Sequence, residues 1–220
     1  TCLNGFARTK PGQFVMLRVS EGLEPLLRRP FSVHKLIRKD NRVEGIEVLY
    51  KMVGKGTALL ATRKPGETLD VLGPLGSSFV LPPSARKVFI VAGGMGVAPM
   101  VFLAQHLVAS GLNPSDCEVF LGGRTCEDLL CTDEFTALNL PVHTTTDDGS
   151  AGDQCLVTHP VDVALADRRP DVVFACGPLQ MLDCVIGIAA AHGVICQVSI
   201  ETAMACGMGA CLGCAVPSRD

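Results

Sequence analysis

The stretch at residues 87–100, KVFIVAGGMGVAPM, joins an apolar run to a glycine-rich turn and then to a second apolar segment. The run KVFIVA is typical of a strand that is buried on both faces of a parallel sheet. Glycines after such a strand let backbone N–H groups approach a pyrophosphate, and the start of the following helix adds partial positive charge. The stretch therefore predicts a strand, a nucleotide-binding turn and a helix.

The same alternation of strand and helix continues to the end of the chain. Helical patterns cover residues 98–111, 126–138 and 179–193, and strand patterns cover residues 117–124, 140–146, 171–176 and 196–202. Strands that alternate with helices form a doubly wound parallel sheet, because each helix must return the chain to the same sheet edge. The second half of the chain is therefore predicted to be an α/β domain.

Residues 12–81 have a different pattern. The runs GQFVMLRV, RPFSVHKLI, GIEVLYKMV and ETLDVLGPLG are rich in strand-forming residues and are separated by glycine, proline and charged turns. Short strands at this spacing predict an antiparallel β-barrel or sandwich. We expect three parts: a barrel domain at 1–83, truncated at its start, an α/β domain at 84–200 and a cysteine-rich loop at 201–220.

Composition narrows the classes of function. The 220 residues suffice for two domains, and the net charge of −3 without a basic stripe argues against a nucleic-acid partner. No apolar run reaches the roughly 18 residues that a membrane span needs. Eleven cysteines, scattered mostly among apolar neighbours, do not form the framework of a secreted disulfide protein, so we expect a reducing cytoplasm.

The turn after the first α/β strand matches the dinucleotide fingerprint G-x-G-x-x-G only in part. Gly94 and Gly96 take the first two glycine positions, but Pro99 stands at the third. The acidic residue expected about 20 positions on, for a ribose, is missing, and Arg124 after the next strand is a candidate contact for ribose or phosphate. Ordinary tight turns are the alternative, although glycine-bearing loops after several strands together favour nucleotide binding.

A second candidate site lies in the first half, at residues 28–32, RRPFS. Pro30 forces an extended backbone on the residue before it. Arg29, Phe31 and Ser32 then offer a cation for phosphate, a flat apolar face and a hydroxyl group. The alternative is a barrel corner with a surface arginine.

Two glycine turns follow the RRPFS segment. In LYKMVGKGT, at residues 49–57, the backbone of Gly54, Gly56 and Thr57 is predicted to form an anion-binding nest. The turn GPLG at residues 73–76 is the second. The alternative, equally supported, is that both turns are ordinary corners of the barrel.

Three thiols close the chain in CGMGACLGC, residues 206–214, with the spacing C-x4-C-x2-C. A [2Fe–2S] cluster of the plant-ferredoxin type takes four thiolates, three of them at this spacing. Cys206, Cys211 and Cys214 are therefore candidate iron ligands, and we expect the fourth beyond the end of the sequence. Zinc is the alternative metal, although it usually takes cysteine pairs in twos. A further alternative is that this 220-residue chain, with three ligands, holds no cluster.

The motifs RPFS, GKGT, GPLG, GGMGVAP and CGP, in this order, resemble the ferredoxin–NADP reductase superfamily. Its members have an FAD-binding antiparallel barrel followed by a nicotinamide-binding α/β domain. The terminal CGMGACLGC resembles one branch, the electron-transfer subunits of class 1B dihydroorotate dehydrogenases, which carry FAD and one [2Fe–2S] cluster. Plant-type members end in an aromatic residue that shields the flavin, and this chain has the cysteine loop there instead.

The resemblance implies a role for individual residues. Arg29, Pro30, Phe31 and Ser32 would line the flavin, Leu49, Tyr50 and Lys51 its ribityl and phosphate portion, and Gly56 and Thr57 would hold the pyrophosphate. Gly93, Gly94 and Gly96 would receive NAD(H) together with Cys176, Gly177 and Pro178, and Cys206, Cys211 and Cys214 would ligate the cluster. Read without the resemblance, Cys176 is equally well explained as a buried thiol at a strand end.

The resemblance also implies a partner and a reaction. A separate FMN-containing catalytic subunit would oxidise dihydroorotate in pyrimidine biosynthesis, in a heterotetramer of two plus two subunits, and electrons would leave on NAD+. Related reductase subunits of sulfide dehydrogenase, bifurcating ferredoxin–NADP oxidoreductase or hydrogenase are alternatives. So are a stand-alone flavin reductase and a zinc-binding interaction module without enzymatic activity. NAD is preferred over NADP only weakly.

Overall fold

The computed structural model describes residues 4–40 and 42–216, which divide into two compact units. The first unit runs from the start of the chain to Ser78 and also takes in the segment from Glu201 onward. The second unit is Phe79–Ile200. The predicted parts differ from these units in two respects: the first boundary was expected after residue 83, and the cysteine loop was expected to stand apart.

The described part of the first unit opens with a five-residue 3-10 segment at Asn4–Arg8. The strands and helix that follow are β1 (Phe14–Arg18), β2 (Arg29–Ser32), β3 (Lys35–Lys39), β4 (Arg42–Glu47), α1 (Lys55–Ala61) and β5 (Asp70–Leu75). They form an antiparallel sheet in the order β2-β1-β5 and an antiparallel pair β3-β4. The antiparallel character predicted for this half is confirmed.

β1 is the central strand of the three-stranded sheet. Val15, Met16 and Leu17 on this strand are all buried. Met16 lies opposite Pro30 of β2 on one side and opposite Leu72 of β5 on the other. The RPFS strand and the strand that carries GPLG are therefore both held by the same short segment.

The predicted strand RPFSVHKLI is two strands in the structure, β2 and β3. The break has a hydrogen-bonding cause, because the chain changes partner there. Val33 N–H donates to the carbonyl of Gln13 at 3.0 Å, whereas His34 N–H donates to the carbonyl of Glu47 in β4 at 2.8 Å. One segment thus leaves the first sheet and enters the second.

The second unit contains a parallel sheet with helices on its faces. Its elements are β6 (Val88–Gly93), α2 (Val97–Ala109), β7 (Cys117–Gly123), α3 (Thr132–Ala137), β8 (Val142–Thr146), β9 (Asp153–Gln154), α4 (Thr158–Arg168), β10 (Val172–Cys176), α5 (Leu179–Ala191) and β11 (Ile195–Ser199). The strand order is β11-β10-β6-β7-β8-β9, and every neighbouring pair is parallel. The predicted doubly wound sheet is confirmed.

Every residue of β6 is buried, as the apolar run predicted. Phe89 and Phe120 meet with ring centroids 5.1 Å apart in a core cluster that α4 and α5 complete on one face of the sheet. Alternate strand residues such as Ile90 point to the opposite face, and α2 packs against β6 and β10. Because β6 is buried on both faces, its end is held rigidly and the loop that follows it has a fixed position.

Two helix predictions need correction. The helix predicted at 126–138 is a 3-10 turn at Cys126–Asp128 followed by α3, because Cys131 between them has a left-handed φ of +62°. Helix α4 was not predicted, since its sequence THPVDVALADR has no strong apolar stripe. Pro160 in its first turn was the available signal.

The longest helices in the described ranges, α2 and α5, have 13 residues each. A membrane-spanning helix needs about 20 apolar residues. Accordingly, no helix between residues 4 and 216, residue 41 aside, is long and apolar enough to cross a membrane.

Asp171 ties the starts of β6 and β10 together. Its carboxylate accepts the backbone N–H groups of Arg86 at 2.7 Å and Lys87 at 2.9 Å. The bond from Lys87 is the main reason that the pKa of Asp171 lies below its usual value, and the bond from Arg86 is the second. A lowered pKa means that the stabilisation is present at neutral pH and is lost as the pH falls through that pKa.

We predict that Asp171→Ala lowers the free energy of unfolding by about 1 kcal/mol at pH 7, because two amides lose their acceptor. Asp171→Asn keeps one acceptor oxygen without the charge, so its loss is smaller. Urea unfolding between pH 7 and pH 3 measures both variants. The difference between wild type and Asp171→Asn should shrink toward pH 3, and a constant difference would contradict this assignment.

Candidate functional site

A crevice is expected at the carboxyl ends of β6 and β10. These strands are neighbours, but the chain proceeds from β6 toward β7 on one side and from β10 toward β11 on the other. Ligands of open α/β sheets bind at such a switch point. The loops that leave it are Gly94–Gly96, a one-turn 3-10 segment, and residues 177–178. The structure thus brings together the two segments predicted to receive a nicotinamide dinucleotide.

The two loops touch through bare backbone. A Cβ atom at Gly96 would lie 2.2 Å from the carbonyl oxygen of Cys176 and 2.6 Å from the backbone nitrogen of Gly177. Because these are main-chain atoms, they have no rotamer by which to move aside. Residue 96 must therefore be glycine for the loops to meet as they do.

Met181, in the first turn of α5, is a crevice residue that sequence reasoning missed. Its Sδ lies 2.7 Å from the position that a Cβ of Gly93 would take, and its Cε lies 2.6 Å from that of Gly177. The thioether therefore fills the space beside both glycines. The sequence signal for this contact was the position of Met181 three residues after Pro178, which puts the two residues on the same side of the helix start.

Helix α2 starts directly from the glycine turn. Val97, Ala98, Pro99 and Met100 in its first turn are all buried. The start of a helix carries partial positive charge, and the N–H of Val97 donates to the carbonyls of Gly94 and Met95 in the turn. The arrangement of strand, turn and helix that suits a pyrophosphate is present, and Pro99 does not disturb it.

Arg124 follows β7 and its side chain is 81% exposed. Its backbone N–H donates to Asp128 Oδ2 at 3.3 Å, and its Nε lies 3.7 Å from the same oxygen. Asp128 therefore places a carboxylate at the end of β7, which the sequence rule for a ribose-binding acid did not find. Asp128 is the last residue of the 3-10 turn Cys126–Asp128, in a segment that the sequence predicted as helix.

The loop after β8 is tied to the same place. Cys126 N–H donates to Ser150 Oγ at 2.7 Å, and Ser150 Oγ donates to Asp148 Oδ1 at 2.6 Å. Asp147 and Asp148, which follow the buried end of β8, are both exposed. The ends of β7 and β8 thus form one connected rim.

In the first unit, the two adjacent arginines have different partners. Arg28 Nη2 pairs with Asp70 Oδ2 at 2.5 Å and Nη1 donates to the carbonyl of Asp70 at 3.1 Å, so it joins the residue before β2 to the start of β5. This hydrogen bond is the main cause of a lowered pKa at Asp70. Arg29 instead packs on α1, with its Nε 3.0 Å from the position of a Cβ at Gly56. The structure thus brings together Arg29 and Gly56, both predicted phosphate contacts.

The other predicted flavin contacts lie nearby in the fold of this unit. Phe31 is buried, and its ring meets the Tyr50 ring edge-on with centroids 5.6 Å apart. Pro30, Ser32, Leu49 and Tyr50 are half-buried, and Lys51 is exposed. The ring of Phe31 is therefore part of the packing that joins the RPFS strand to residues 49–51.

The predicted anion nest at Gly54, Gly56 and Thr57 needs a correction at Gly54. Thr57 Oγ1 accepts the N–H of Val53 at 3.0 Å and of Gly54 at 3.2 Å, and it donates to the carbonyl of Gly54 at 3.0 Å. The Gly54 amide is therefore directed at a side chain of its own loop. An anion at this loop would therefore meet the amides of residues 55–57, at the start of α1.

The cysteine loop directs backbone donors at its first thiol. Cys206 Sγ accepts the N–H of Met208 at 3.4 Å and of Cys211 at 3.5 Å. The bond from Cys211, with that from Met208 second, lowers the pKa of Cys206 to about 6. Amide donors favour the thiolate, which is the form that ligates iron.

The donor set fits an iron–sulfur centre in its chemistry. Cys206 and Cys214 are half-buried, and Cys211 is exposed. The three sulfurs belong to one short loop that packs with the first unit. The sequence has no cysteine after Cys214 to serve as a fourth ligand.

Two family models match the chain. Residues 90–186 match the oxidoreductase NAD-binding domain. Residues 201–220 match the iron–sulfur cluster binding domain of dihydroorotate dehydrogenase B. The matches fall on the unit with the glycine crevice and on the segment with the three thiols.

Curated relatives extend the similarity over nearly the whole chain. The chain is 40% identical over 207 residues to the dihydroorotate dehydrogenase B (NAD(+)) electron transfer subunit of Desulforamulus reducens, covering 94% of this chain and 76% of that protein. Its identity to the subunit of the same name from Bacillus caldolyticus is 39%, covering 93% and 76%.

Solved structures agree with the fold. The NADH-dependent reduced ferredoxin–NADP oxidoreductase, described in work on flavin-based electron bifurcation, is similar with a TM-score of 0.80 and 31% identity over 96% of this chain and 73% of that chain. The cytochrome b5 reductase domain of Ulva prolifera nitrate reductase has a TM-score of 0.66 at 18% identity, covering 87% and 85%, and shows the shared fold.

We predict that Gly96→Ala destabilises the protein by about 1–3 kcal/mol, because the new methyl group meets main-chain atoms. The matched control is Gly187→Ala in α5, where a Cβ would meet nothing within 4 Å. That variant should stabilise by up to about 1 kcal/mol through helix propensity. Urea unfolding measures both, and equal effects of the two substitutions would refute the close contact of the loops.

Proposed function

The chain belongs to the family of dihydroorotate dehydrogenase B (NAD(+)) electron transfer subunits, and on this basis we propose that it binds FAD and one [2Fe–2S] cluster. It is an oxidoreductase subunit that uses NAD(H). The observation that carries the proposal is that one chain contains a dinucleotide crevice in one unit and, in the other, an antiparallel sheet with the thiol loop packed on it.

The cofactors supply the redox chemistry. When bound, a [2Fe–2S] cluster exchanges single electrons and nicotinamide exchanges a hydride, which carries two. FAD exchanges both single electrons and hydride, so the three cofactors together convert single electrons into a hydride. The residues of the chain contribute binding and position.

The thiol loop provides the cluster ligands Cys206, Cys211 and Cys214. Backbone donors to Cys206 Sγ stabilise negative charge on sulfur. The same donors would favour the reduced state of a cluster held there, because that state is the more negative.

Arg29 provides a cation for the flavin nucleotide, beside the amides at the start of α1. Arg28 is already committed to Asp70, so the two arginines divide structural and binding roles. Pro30, Phe31 and Ser32 extend the flavin contact along β2, and Leu49, Tyr50 and Lys51 continue it toward Gly56 and Thr57.

The dinucleotide crevice would receive NAD(H) between the turn Gly93–Gly96 and the loop at 176–178. Arg124 and Asp128 at the end of β7 would meet the ribose or phosphate of the adenosine portion. A carboxylate at this point favours the 2′-hydroxyl of NAD over the 2′-phosphate of NADP.

The partner is the catalytic subunit of dihydroorotate dehydrogenase B, as the family name requires. We propose that it is an FMN-containing subunit, that two copies of each chain assemble, and that electrons from dihydroorotate leave on NAD+. The reducing cytoplasm inferred from the scattered cysteines stays a prediction.

A related reductase subunit is the second candidate. It is favoured by the similarity, at 31% identity, to the NADH-dependent reduced ferredoxin–NADP oxidoreductase. In that case the same crevice and thiol loop would serve another electron donor. A zinc-binding module would hold zinc instead of iron, and metal analysis separates it from both reductases.

The deciding experiment uses the native complex with its catalytic subunit. We expect flavin and iron–sulfur absorbance and dihydroorotate-dependent formation of NADH. Cys206→Ser should lower iron content and abolish this activity, while reduction of ferricyanide by NADH, which needs flavin and crevice alone, stays within about twofold. A complex that contains zinc without iron, or no flavin, would refute the proposal. Activity with another donor alone would select the second candidate.

The two arginines give a matched test of the flavin site. We predict that Arg29→Ala weakens FAD binding about 10- to 100-fold, the loss expected for one charge-assisted hydrogen bond. Arg28→Ala should change FAD affinity less than about threefold while lowering stability, because its partner is Asp70. Equilibrium titration of the flavin-free protein with FAD measures both, and the reverse ranking would show that the assignment is wrong.

A further inference from the structure

The cysteine loop rests on the first unit at Gly207, the neighbour of Cys206. Gly207 has a left-handed φ of +68°. A Cβ atom there would lie 2.7 Å from Met16 Cγ, 2.9 Å from Met16 Sδ and 3.4 Å from Leu75 Cδ1. The backbone beside the first thiol therefore lies directly on the side chain of Met16.

Met16 is held firmly from its other sides. It is fully buried in the central strand β1, and it is paired with Pro30 of β2 and Leu72 of β5. Met16 thus contacts the cysteine loop through its side chain and pairs with the RPFS strand through its backbone.

The loop has little apolar burial of its own. Among its described residues Met208 is 59% exposed and Leu212 is 71% exposed. Such a loop depends on a small number of contacts for its position, and at Gly207, which is half-buried, it contacts the fully buried side chain of Met16.

We propose that Met16 is a positioning residue that fixes Cys206 relative to the RPFS strand. The proposal rests on the proposed function, since it gives the contact a role in electron transfer. Transfer between two centres slows steeply as their separation grows, so a fixed separation matters. The flexible, unbranched side chain of methionine is well suited to fill an irregular gap under a backbone.

The first test needs no cofactor. The backbone amides of Met208 and Cys211 donate to Cys206 Sγ, so their hydrogen exchange reports how firmly the loop is held. In the metal-free protein, Met16→Ala should raise their exchange rates at least tenfold. Met16→Leu, which keeps the volume, should stay within about threefold of wild type. Unchanged exchange in a folded Met16→Ala protein would overturn the proposal.

A matched pair of glycines tests the same contact from the loop side and holds even if Met16→Ala does not fold. Gly207→Ala adds a methyl group against Met16, whereas Gly209, at φ +77°, has nothing within 4 Å of an added Cβ. Both substitutions strain a left-handed residue, so their difference isolates the contact. We expect exchange at least tenfold faster in Gly207→Ala than in Gly209→Ala. Equal rates would overturn the proposal.

The second test uses the loaded complex. Met16→Ala should broaden the electron paramagnetic resonance lines of the reduced cluster and slow flavin reduction by the cluster at least tenfold. Flavin reduction by NADH should stay within twofold, which a general structural loss would not permit. A variant with loosened amides but wild-type transfer would overturn the positioning role. A wild-type complex without iron or flavin would instead refute the proposed function, and the metal-free exchange test would still stand.

Discussion

The antiparallel ladder that β1 makes with β2 on one side and β5 on the other is the constraint on which the first unit depends. Because β1 is central and buried, its register fixes both neighbours at once. The RPFS strand, the GPLG strand and the loop with three thiols all take their position from it. A slip of one residue would turn every side chain of β1 to the other face and would remove Met16 from beneath Gly207.

The second unit is organised by a different constraint, the meeting of two backbones at the switch point of a parallel sheet. Here no side chain intervenes between Gly96 and the carbonyl of Cys176. The strands that carry the two loops are buried on both faces, so the loops have little freedom to separate. Antiparallel pairing in one unit and backbone contact in the other thus place the groups that the proposed chemistry needs.

The charged residues show how similar side chains take unlike roles. Arg28 and Arg29 are adjacent, yet one closes an ion pair with Asp70 and the other lies against Gly56. Thr57 offers a hydroxyl, but that hydroxyl is bonded within its own loop. In the proposed flavin site, phosphate contacts would therefore come from Arg29, Lys51 and backbone amides rather than from the Thr57 hydroxyl.

The sequence by itself determined the order of the two units, the parallel sheet, the glycine turn before α2 and the spacing of the thiols. These follow from local patterns: apolar runs that two buried faces require, glycine where backbone must approach, and cysteine at iron-ligand spacing. Only the tertiary structure decided the break at His34, the direction of the Gly54 amide, the place of Asp128 and the contact of Met16 with Gly207. The break at His34 and the contact of Met16 depend on partners far away in the chain. The Gly54 amide and Asp128 depend on hydrogen bonds within short turns, with Thr57 and Arg124, that periodicity and spacing do not record.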